Sequence, residues 1–401
     1  MQDLPVYRGP AVLLEALRGL RADISAAAPA MEAARAMTPD IFEKIVATGL
    51  LRALHPRSLG GAEYTAPQML PLLEELARGD GSAAWSFMVA AEVPALFQRF
   101  PEHVLREVFS KGCDVAARAP LTPKAGSRRT AGGYRVSGRW PLASGSYDAD
   151  WYIVGALVSP EGGSPAQAAE GRPDLRLFLV PGGQVKAIDN WDSLGLRSTK
   201  SHDIEIDDVF VAEDYSAPFT HNSPVAYEKG DIPRLRRLSF YTLMGPFHLG
   251  VILGIVRAML DDLVELAQTK RPFLNPTVIY RDEPSFQTRV GTIAMRLAAT
   301  RSLAVSESEA IWNYGGAEGI PPPLERARYR AATAHVHSEC AQLGAEIFAL
   351  AGSNVLMNSS TLQRRFRDLR TACQHIMGNT EIFLPYGALT LRADLPSAQD
   401  L

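Results

Sequence analysis

Cysteine is scarce in this sequence, and the few cysteines show no recognisable spacing. The 401 residues include only Cys113, Cys340 and Cys373, which are odd in number, far apart and without the C-x-x-C or Cys/His spacing of a metal site. A disulfide-stabilised fold is therefore excluded, and we expect no metal. Reduced thiols predict a cytoplasmic protein.

An excess of one charge is also lacking. The chain has 41 Lys and Arg against 44 Asp and Glu, a formal net charge of -3, and its basic residues do not gather in one stripe. Nucleic-acid binding requires a concentration of positive charge. We therefore expect a small molecule as the partner, and no nucleic acid.

Long apolar runs are almost absent. The start, MQDLPVYRGP, has neither a basic segment nor an apolar stretch, so we expect no secretory signal. The stretch from Leu238 to Val256 carries no formal charge, but Ser239, His248 and several glycines interrupt it. We expect a buried bundle helix there and no membrane span.

What the sequence does contain is a helical first part, predicted as a helical domain over residues 1–113. Apolar residues at helical spacing predict four helices. Thr38 followed by Pro39 is typical of an N-cap with proline in the first turn. The predicted helices are Val12–Ala28, Thr38–Leu51, Ala66–Arg78 and Ala83–Phe97.

The pattern changes to short β-type runs near Asp114, and we predict a small antiparallel, barrel-like β domain over residues 114–230. Gly- and Pro-rich stretches at Ser159–Pro173 and 213–236 are expected to be connections. The predicted strands are Tyr134–Val136, Trp151–Val158, Leu175–Val180, Val185–Asp189 and Asp203–Val211.

Helical spacing returns after Arg237, in four long segments with short links. This pattern predicts an antiparallel four-helix bundle over residues 231–401, and overall an α+β fold that is mostly α. The predicted helices are 238–269, 284–314, 324–351 and 363–392.

This domain order resembles the acyl-CoA dehydrogenase fold, and four local stretches resemble its oxygenase branch, the oxygenase components of two-component flavin-dependent monooxygenases. They are Gly49–Tyr64 with Glu75–Trp85, Gly132–Gly145, Gly195–Val211 and Ala351–His375. The resemblance implies a homotetramer that uses reduced flavin and O2, through a C4a-hydroperoxyflavin, to hydroxylate a small aromatic or electron-rich substrate. Whether carbon, nitrogen or sulfur is oxygenated stays open.

Ser144 is the first candidate catalytic residue. It precedes Gly145 at the end of a predicted strand, and its hydroxyl can donate or accept a hydrogen bond. On the residues alone, an ordinary β-turn explains this position better than a catalytic role. The resemblance implies that Ser144 supports the oxygenated flavin, and it assigns Trp140, Ala143, Gly145 and Ser146 to the cofactor as well.

His375 is the second candidate. It lies seven positions after Asp368 on the predicted last helix, and therefore on the same face. An imidazole that titrates near neutrality can exchange a proton with a substrate hydroxyl or an oxygen intermediate. A lone helical histidine is also consistent with a core or surface role. The resemblance implies an acid/base role and contact with substrate.

Two other hypotheses stay open at the same segment. An acyl-CoA dehydrogenase with bound FAD needs a carboxylate base, but the corresponding residues here are His375, Ile376, Met377 and Gly378, and Glu381 points elsewhere on the predicted helix. The third hypothesis is a non-catalytic scaffold of the same fold without flavin.

Cofactor anchoring and substrate contact complete the expectations. Arg271 and Phe273 resemble a pair that relatives place at the flavin phosphate, although a helix C-terminal arginine explains Arg271 equally well. In the dehydrogenases that the chain resembles, a glycine pair at this helix link helps to hold the adenine half of FAD. The chain has Ala351 and Gly352 there, and this departure favours FMN, with FAD as the alternative. No G-x-G-x-x-G follows a strand, so a separate reductase must supply reduced flavin. Trp85 and Met88 are candidates for the substrate cavity or for core packing.

Overall fold

The computed structural model describes residues 9–110, 112, 114–122, 126–159, 174–219, 238–272, 276–317 and 321–395. Within them, helices precede an eight-stranded sheet and a second set of helices follows it, which confirms the predicted fold class. Phe273, Cys113 and most of the two predicted connections lie outside the described residues.

The N-terminal part contains five helices. The first, α1, buries Leu13, Leu17 and Ile24 on one face at helical spacing. The predicted second helix ends earlier than expected, because Gly49 adopts a left-handed conformation with φ 89°. Thr38 precedes this helix, but its side chain makes no hydrogen bond to the first turn. The helices are α1 Pro10–Ala34, α2 Pro39–Ala47, α3 Ala66–Gly79, α4 Gly81–Phe97 and α5 Glu102–Val108.

The sheet has the order β6-β7-β3-β2-β4-β5-β8, with β1 beside β4. Five of the described pairings are antiparallel, but β4 runs parallel to β1 and to β2. The expectation of a purely antiparallel sheet was therefore incomplete: the connection after β3 passes β2 and places β4 on its far side. The strands are β1 Ala117–Arg118, β2 Gly126–Thr130, β3 Gly133–Trp140, β4 Trp151–Ser159, β5 Leu175–Pro181, β6 Lys186–Ile188, β7 Asp203–Ala212 and β8 Ser216–Pro218.

The described residues of the C-terminal part form three long helices and two short ones. They are α6 Phe240–Ala267, α7 Pro284–Ala317, α8 Pro323–Ala351, α9 Thr361–Ala372 and α10 Phe383–Thr390. Helix α6 is long and apolar enough to cross a membrane, but 94% of its most apolar window is buried inside the protein. It is the central helix of the bundle, packed against α3, α4, α8 and α9.

The predicted single helix over 363–392 is wrong. Helix α9 ends at Ala372, and short 3-10 turns at Ile376–Gly378 and Thr380–Ile382 separate it from α10. Gly378 packs so closely on α8 that a Cβ there would lie 3.2 Å from His337 Cβ. His375 therefore lies in the break between helices, with extended backbone (φ -64°, ψ 150°), and the expected shared helix face with Asp368 does not exist.

Candidate active site

Helix α4 occupies the centre of the candidate site. One side of it packs against β1 and the turn Arg197–Thr199, and another packs against α6 and α9. The side chain of Asp80 caps its first turn by accepting a hydrogen bond of 2.8 Å from Ala83 N. This helix therefore joins the β domain to the bundle and carries Trp85 at their junction.

Three aromatic rings meet at this junction. Trp85 approaches His248 of α6 and His375 edge-on, with ring centroids 5.2 and 5.6 Å apart. The imidazoles of His248 and His375 stack at 4.2 Å. His375 Nδ1 accepts a hydrogen bond of 3.4 Å from Met377 N, which leaves the proton of the neutral ring on Nε2. The structure thus brings Trp85 and His375 together, while their contact with a substrate stays a prediction.

Burial keeps these imidazoles neutral. Desolvation, with a smaller effect of His337, lowers the pKa of His375 to about 3, and burial lowers that of His337 to about 4. The pKa of His248 is likewise held well below its ordinary value by burial. The expectation that His375 titrates near neutrality is therefore not met, and its ring is neutral at pH 7.

A buried carboxyl group lies behind the rings. Glu92 on α4 places Oε2 3.7 Å from His248 Nε2. Burial raises the pKa of Glu92 well above its ordinary value. The site therefore contains an acidic group that the sequence analysis missed. Its signal was an isolated glutamate in the otherwise apolar run of α4.

Ser144 lies at the β-domain side of α4. Its Oγ is 2.7 Å from Ser201 Oγ, and Ser201 Oγ is 2.6 Å from Thr199 Oγ1. Thr199 Oγ1 donates to Leu196 O, and Gly145 N donates to Thr199 O at 2.9 Å. A chain of hydroxyl groups therefore orients Ser144. The sequence did not predict Thr199 or Ser201 as site residues, because no local pattern indicates which distant segments meet.

Gly145 is required by its conformation. Its φ is +139°, and a Cβ there would lie 2.8 Å from the Tyr147 ring. Ser144, by contrast, is partly exposed, and the neighbouring Leu142 is 60% exposed. An apolar surface next to an accessible hydroxyl fits the flat ring system and polar edge of a flavin, so the residues present suit the cofactor that the sequence implies.

The other predicted cofactor residues of this segment are enclosed. Trp140 is fully buried, and its Nε1 donates to Gly155 O at 2.7 Å. Ala143 N donates to His202 O, and Ser146 Oγ accepts from Met37 N at 2.5 Å. Their observed contacts hold the Ser144 segment in place, while direct contact with a cofactor stays a prediction.

The segment Gly195–Ser201 is anchored to the bundle. Leu196 N donates to Asp368 Oδ1 at 2.6 Å, and a Cβ at Gly195 would lie 2.2 Å from Arg367 O. Burial and the nearby carboxyl group of Asp80 raise the pKa of Asp368 to about 8. Asp368 is thus a positioning residue between α9 and the hydroxyl chain that reaches Ser144.

Two predicted residues lie elsewhere. Arg271 is exposed, and its Nη1 donates to Pro276 O at 3.1 Å. Its partner Phe273 lies outside the described residues. Met88 on α4 is fully buried in the main core, so core packing describes its observed contacts and substrate contact stays a prediction.

Comparison with known proteins identifies two matching family models. The model described as acyl-CoA dehydrogenase, N-terminal domain, matches residues 13–109, and the model described as acyl-CoA dehydrogenase, C-terminal domain, matches residues 247–380. These ranges contain α4 with Trp85 and the segment with His375.

Named relatives and a solved structure agree with these matches. The chain is 28% identical to indole-3-acetate monooxygenase of Pseudomonas putida, over 88% of this chain and 87% of the relative. It is 23% identical to the oxygenase component of p-hydroxyphenylacetate 3-hydroxylase of Acinetobacter baumannii, over 90% and 85%. The fold is shared with XiaF from Streptomyces sp., solved in complex with FADH2 and glycerol, with a TM-score of 0.88, 24% identity and 98% of each chain covered.

Proposed function

The chain belongs to the acyl-CoA dehydrogenase family, and on this premise we propose that it is the oxygenase component of a two-component flavin-dependent monooxygenase. It uses reduced flavin and O2 to hydroxylate a small aromatic or electron-rich molecule. The observation that carries the proposal is the neutral imidazole of His375 against Trp85, at the junction of α4, α6 and α9.

When bound, reduced flavin supplies the activation of O2, and the chain supplies position, hydrogen bonds and exclusion of water. Ser144, held by Ser201, would bond to the polar edge of the flavin ring. His375 has the acid/base role: because its Nδ1 is bonded to Met377 N, its neutral ring offers Nε2–H, which would donate a hydrogen bond to the oxygen of the substrate and hold in place the group that exchanges a proton. Trp85 and Met88 form the apolar wall that excludes water.

The remaining assignments complete the proposal. Reduced FMN, with FAD as the alternative, arrives from a separate reductase, and Arg271 with Phe273 binds its phosphate. Trp140, Ala143, Gly145 and Ser146 form the cofactor side of the site. The chain is divided into domains at 1–113, 114–230 and 231–401, acts in the cytoplasm and assembles as a homotetramer.

One observation favours a second function, an acyl-CoA dehydrogenase. Glu92 is a buried carboxyl group close to the imidazoles, and such enzymes need a carboxylate base. A base must be ionised at the working pH, however, and burial raises the pKa of Glu92 well above its ordinary value, which disfavours the ionised form. Anaerobic addition of an acyl-CoA to the FAD-loaded protein tests this function, because only a dehydrogenase bleaches the flavin.

The proposed function is tested by turnover with an unrelated NADH-dependent flavin reductase, FMN and a panel of phenols and indoles. We expect products heavier by one oxygen atom, which mass spectrometry with ¹⁸O2 would trace to molecular oxygen. Peroxide as the sole product across the whole panel, equal to a reaction without the protein, would contradict the proposal.

A further inference from the structure

Glu92 and His248 form a buried pair that the proposed oxygenation does not use. Glu92 on α4 is 8% exposed, and His248 on α6 is 1% exposed. His248 stacks directly on His375, and Trp85 meets both imidazoles edge-on. The pair therefore lies one ring away from His375, to which we assign the acid/base role.

Several polar atoms of this pair have no hydrogen-bond partner within the part of the chain that the structure describes. They are Glu92 Oε2, His248 Nδ1 and His248 Nε2, and the Nε2 of the neighbouring His337 shares this property. Buried polar atoms in folded proteins are almost always paired, because an unpaired one is destabilising. Four such atoms around one group of rings indicate a place where a ligand completes the hydrogen bonds.

The pair carries no net charge in its surroundings. Burial favours the protonated carboxyl group of Glu92 and the neutral ring of His248, so together they offer both donors and acceptors. A neutral pair in an apolar surrounding does not compensate an ion. The complementary ligand group is therefore neutral and polar. A group that donates a hydrogen bond, such as a hydroxyl or a ring N–H, meets the acceptors of the pair, Glu92 Oε2 and the unprotonated nitrogen of His248.

We propose that Glu92 and His248 bind the hydroxyl or ring N–H of an aromatic substrate whose ring packs against Trp85 and His375. This contact selects aromatic molecules that carry such a donor over those that lack it. The inference rests on the proposed oxygenase function and deepens it by naming the substrate class and two specificity-determining residues.

Two matched pairs of probes test the inference by isothermal titration calorimetry on the full chain saturated with FMN. Indole is compared with N-methylindole, and phenol with anisole, because each second probe keeps the ring and lacks the donor. A site built to hydrogen-bond a donor rejects the analogue that lacks it, so we expect at least about tenfold tighter binding of the donor-bearing probe. Binding of neither donor-bearing probe would contradict the inference.

Variants of Glu92 separate recognition from folding. Glu92→Met removes the polar group and should reduce the affinity ratio of each probe pair to near one, whereas Glu92→Gln keeps an acceptor oxygen and should retain most of the ratio. Exposed Glu102 on α5 provides the control, Glu102→Gln, with an unchanged ratio. The melting temperature of Glu92→Met should stay equal or rise, since an unpaired buried group is removed.

Two results would overturn the inference. The first is an unchanged affinity ratio in Glu92→Met. The second is a melting temperature lowered by several degrees together with an equal loss of affinity for all four probes, which indicates a purely structural role. The reaction of the FMN complex with O2, measured without an aromatic probe, keeps this inference separate from the proposed function. A protein that passes the oxygen test but does not distinguish the probe pairs refutes the inference alone.

Discussion

At the scale of single residues, the environment of His375 matters more than its identity. The same imidazole on an exposed helix would be half protonated near pH 6.5, whereas burial between Trp85, His248 and Met377 lowers its pKa to about 3. A ring that stays neutral at pH 7, with its Nδ1 bonded to Met377 N, presents Nε2–H as a hydrogen-bond donor. Its chemistry therefore follows from its packing.

Replacing His375 tests this role. His375→Ala should leave flavin binding intact but uncouple turnover, because the substrate oxygen loses its hydrogen bond from Nε2–H: peroxide should rise and product should fall by about tenfold or more. The measurement is the ratio of product to peroxide per NADH consumed. His103→Ala, at an exposed histidine of α5, is the matched control. Equal coupling in the two variants would remove His375 from the mechanism.

Ser144 and Ser201 should act as one unit. Ser144→Ala removes the hydroxyl aimed at the flavin, and Ser201→Ala removes the group that orients it. Each should shorten the interval between oxygen uptake and flavin oxidation by roughly tenfold, the effect of one hydrogen bond. The double variant should lose little more than Ser144→Ala alone. Fully additive effects on that interval would show that Ser201 does not act through Ser144.

At the scale of elements, helices and strands were largely predictable, and their junctions were not. The helical period located α3, α4, α6, α7 and α8 to within a few residues, whereas α1 continues to Ala34, beyond its predicted end at Ala28. The break after Ala372 was missed because its apolar residues continue the helical period, and the local structure there depends on how Gly378 packs against α8. Such contacts are long-range and leave no periodic pattern.

The site was predictable only in part, because it too depends on long-range contacts that leave no periodic pattern in the sequence. Trp85 and His375, both candidates for substrate contact, lie side by side, and Ser144 is accessible at the end of its segment. Thr199, Ser201 and Asp368 were missed because their roles arise from contacts between segments far apart in the chain. Strand order likewise has no local signature, so the parallel pairing of β2 and β4 was not foreseen.

Asp368, which joins α9 to the segment Gly195–Ser201, makes stability depend on pH. An unfolded aspartate ionises near pH 4, whereas folded Asp368 holds its proton up to about pH 8. The folded state therefore binds more protons across this interval, and the free energy of unfolding falls as pH rises through it.

Asp368→Asn should remove part of this dependence. The amide oxygen can still accept from Leu196 N, so the decline in unfolding free energy between pH 5 and 8 should shrink by on the order of 1–3 kcal/mol. Urea unfolding at several pH values measures it, with the exposed Asp207→Asn as control. A decline as steep in Asp368→Asn as in the wild type would show that Asp368 is ionised in the folded protein.

At the scale of the whole molecule, the C-terminal end presents apolar side chains to solvent. Ile376, Phe383, Leu384 and Leu391 are all exposed, and Leu391 is 82% exposed. Contiguous exposed apolar surface commonly marks a protein interface. These residues support the proposed homotetramer.

Assembly is measured by sedimentation velocity. The wild type should sediment as a tetramer, and Leu384→Glu with Leu391→Glu should yield smaller species, because charges are buried at an interface without partners. Exposed Met295→Glu on α7 is the control for adding a charge to an apolar surface position. A wild-type monomer would contradict the proposed assembly but leave the fold and the site of each chain unchanged.

The claim that the whole account depends on is that this fold holds reduced flavin while oxygen reacts with it. The most direct measurement mixes the anaerobic complex of the full chain and reduced FMN with oxygenated buffer, and follows dissolved O2 and the visible absorbance of oxidised flavin together. The account predicts that O2 is consumed promptly and that oxidised flavin appears only after a clear delay. Simultaneous loss of O2 and appearance of oxidised flavin, at the rate of free FMN, would contradict it.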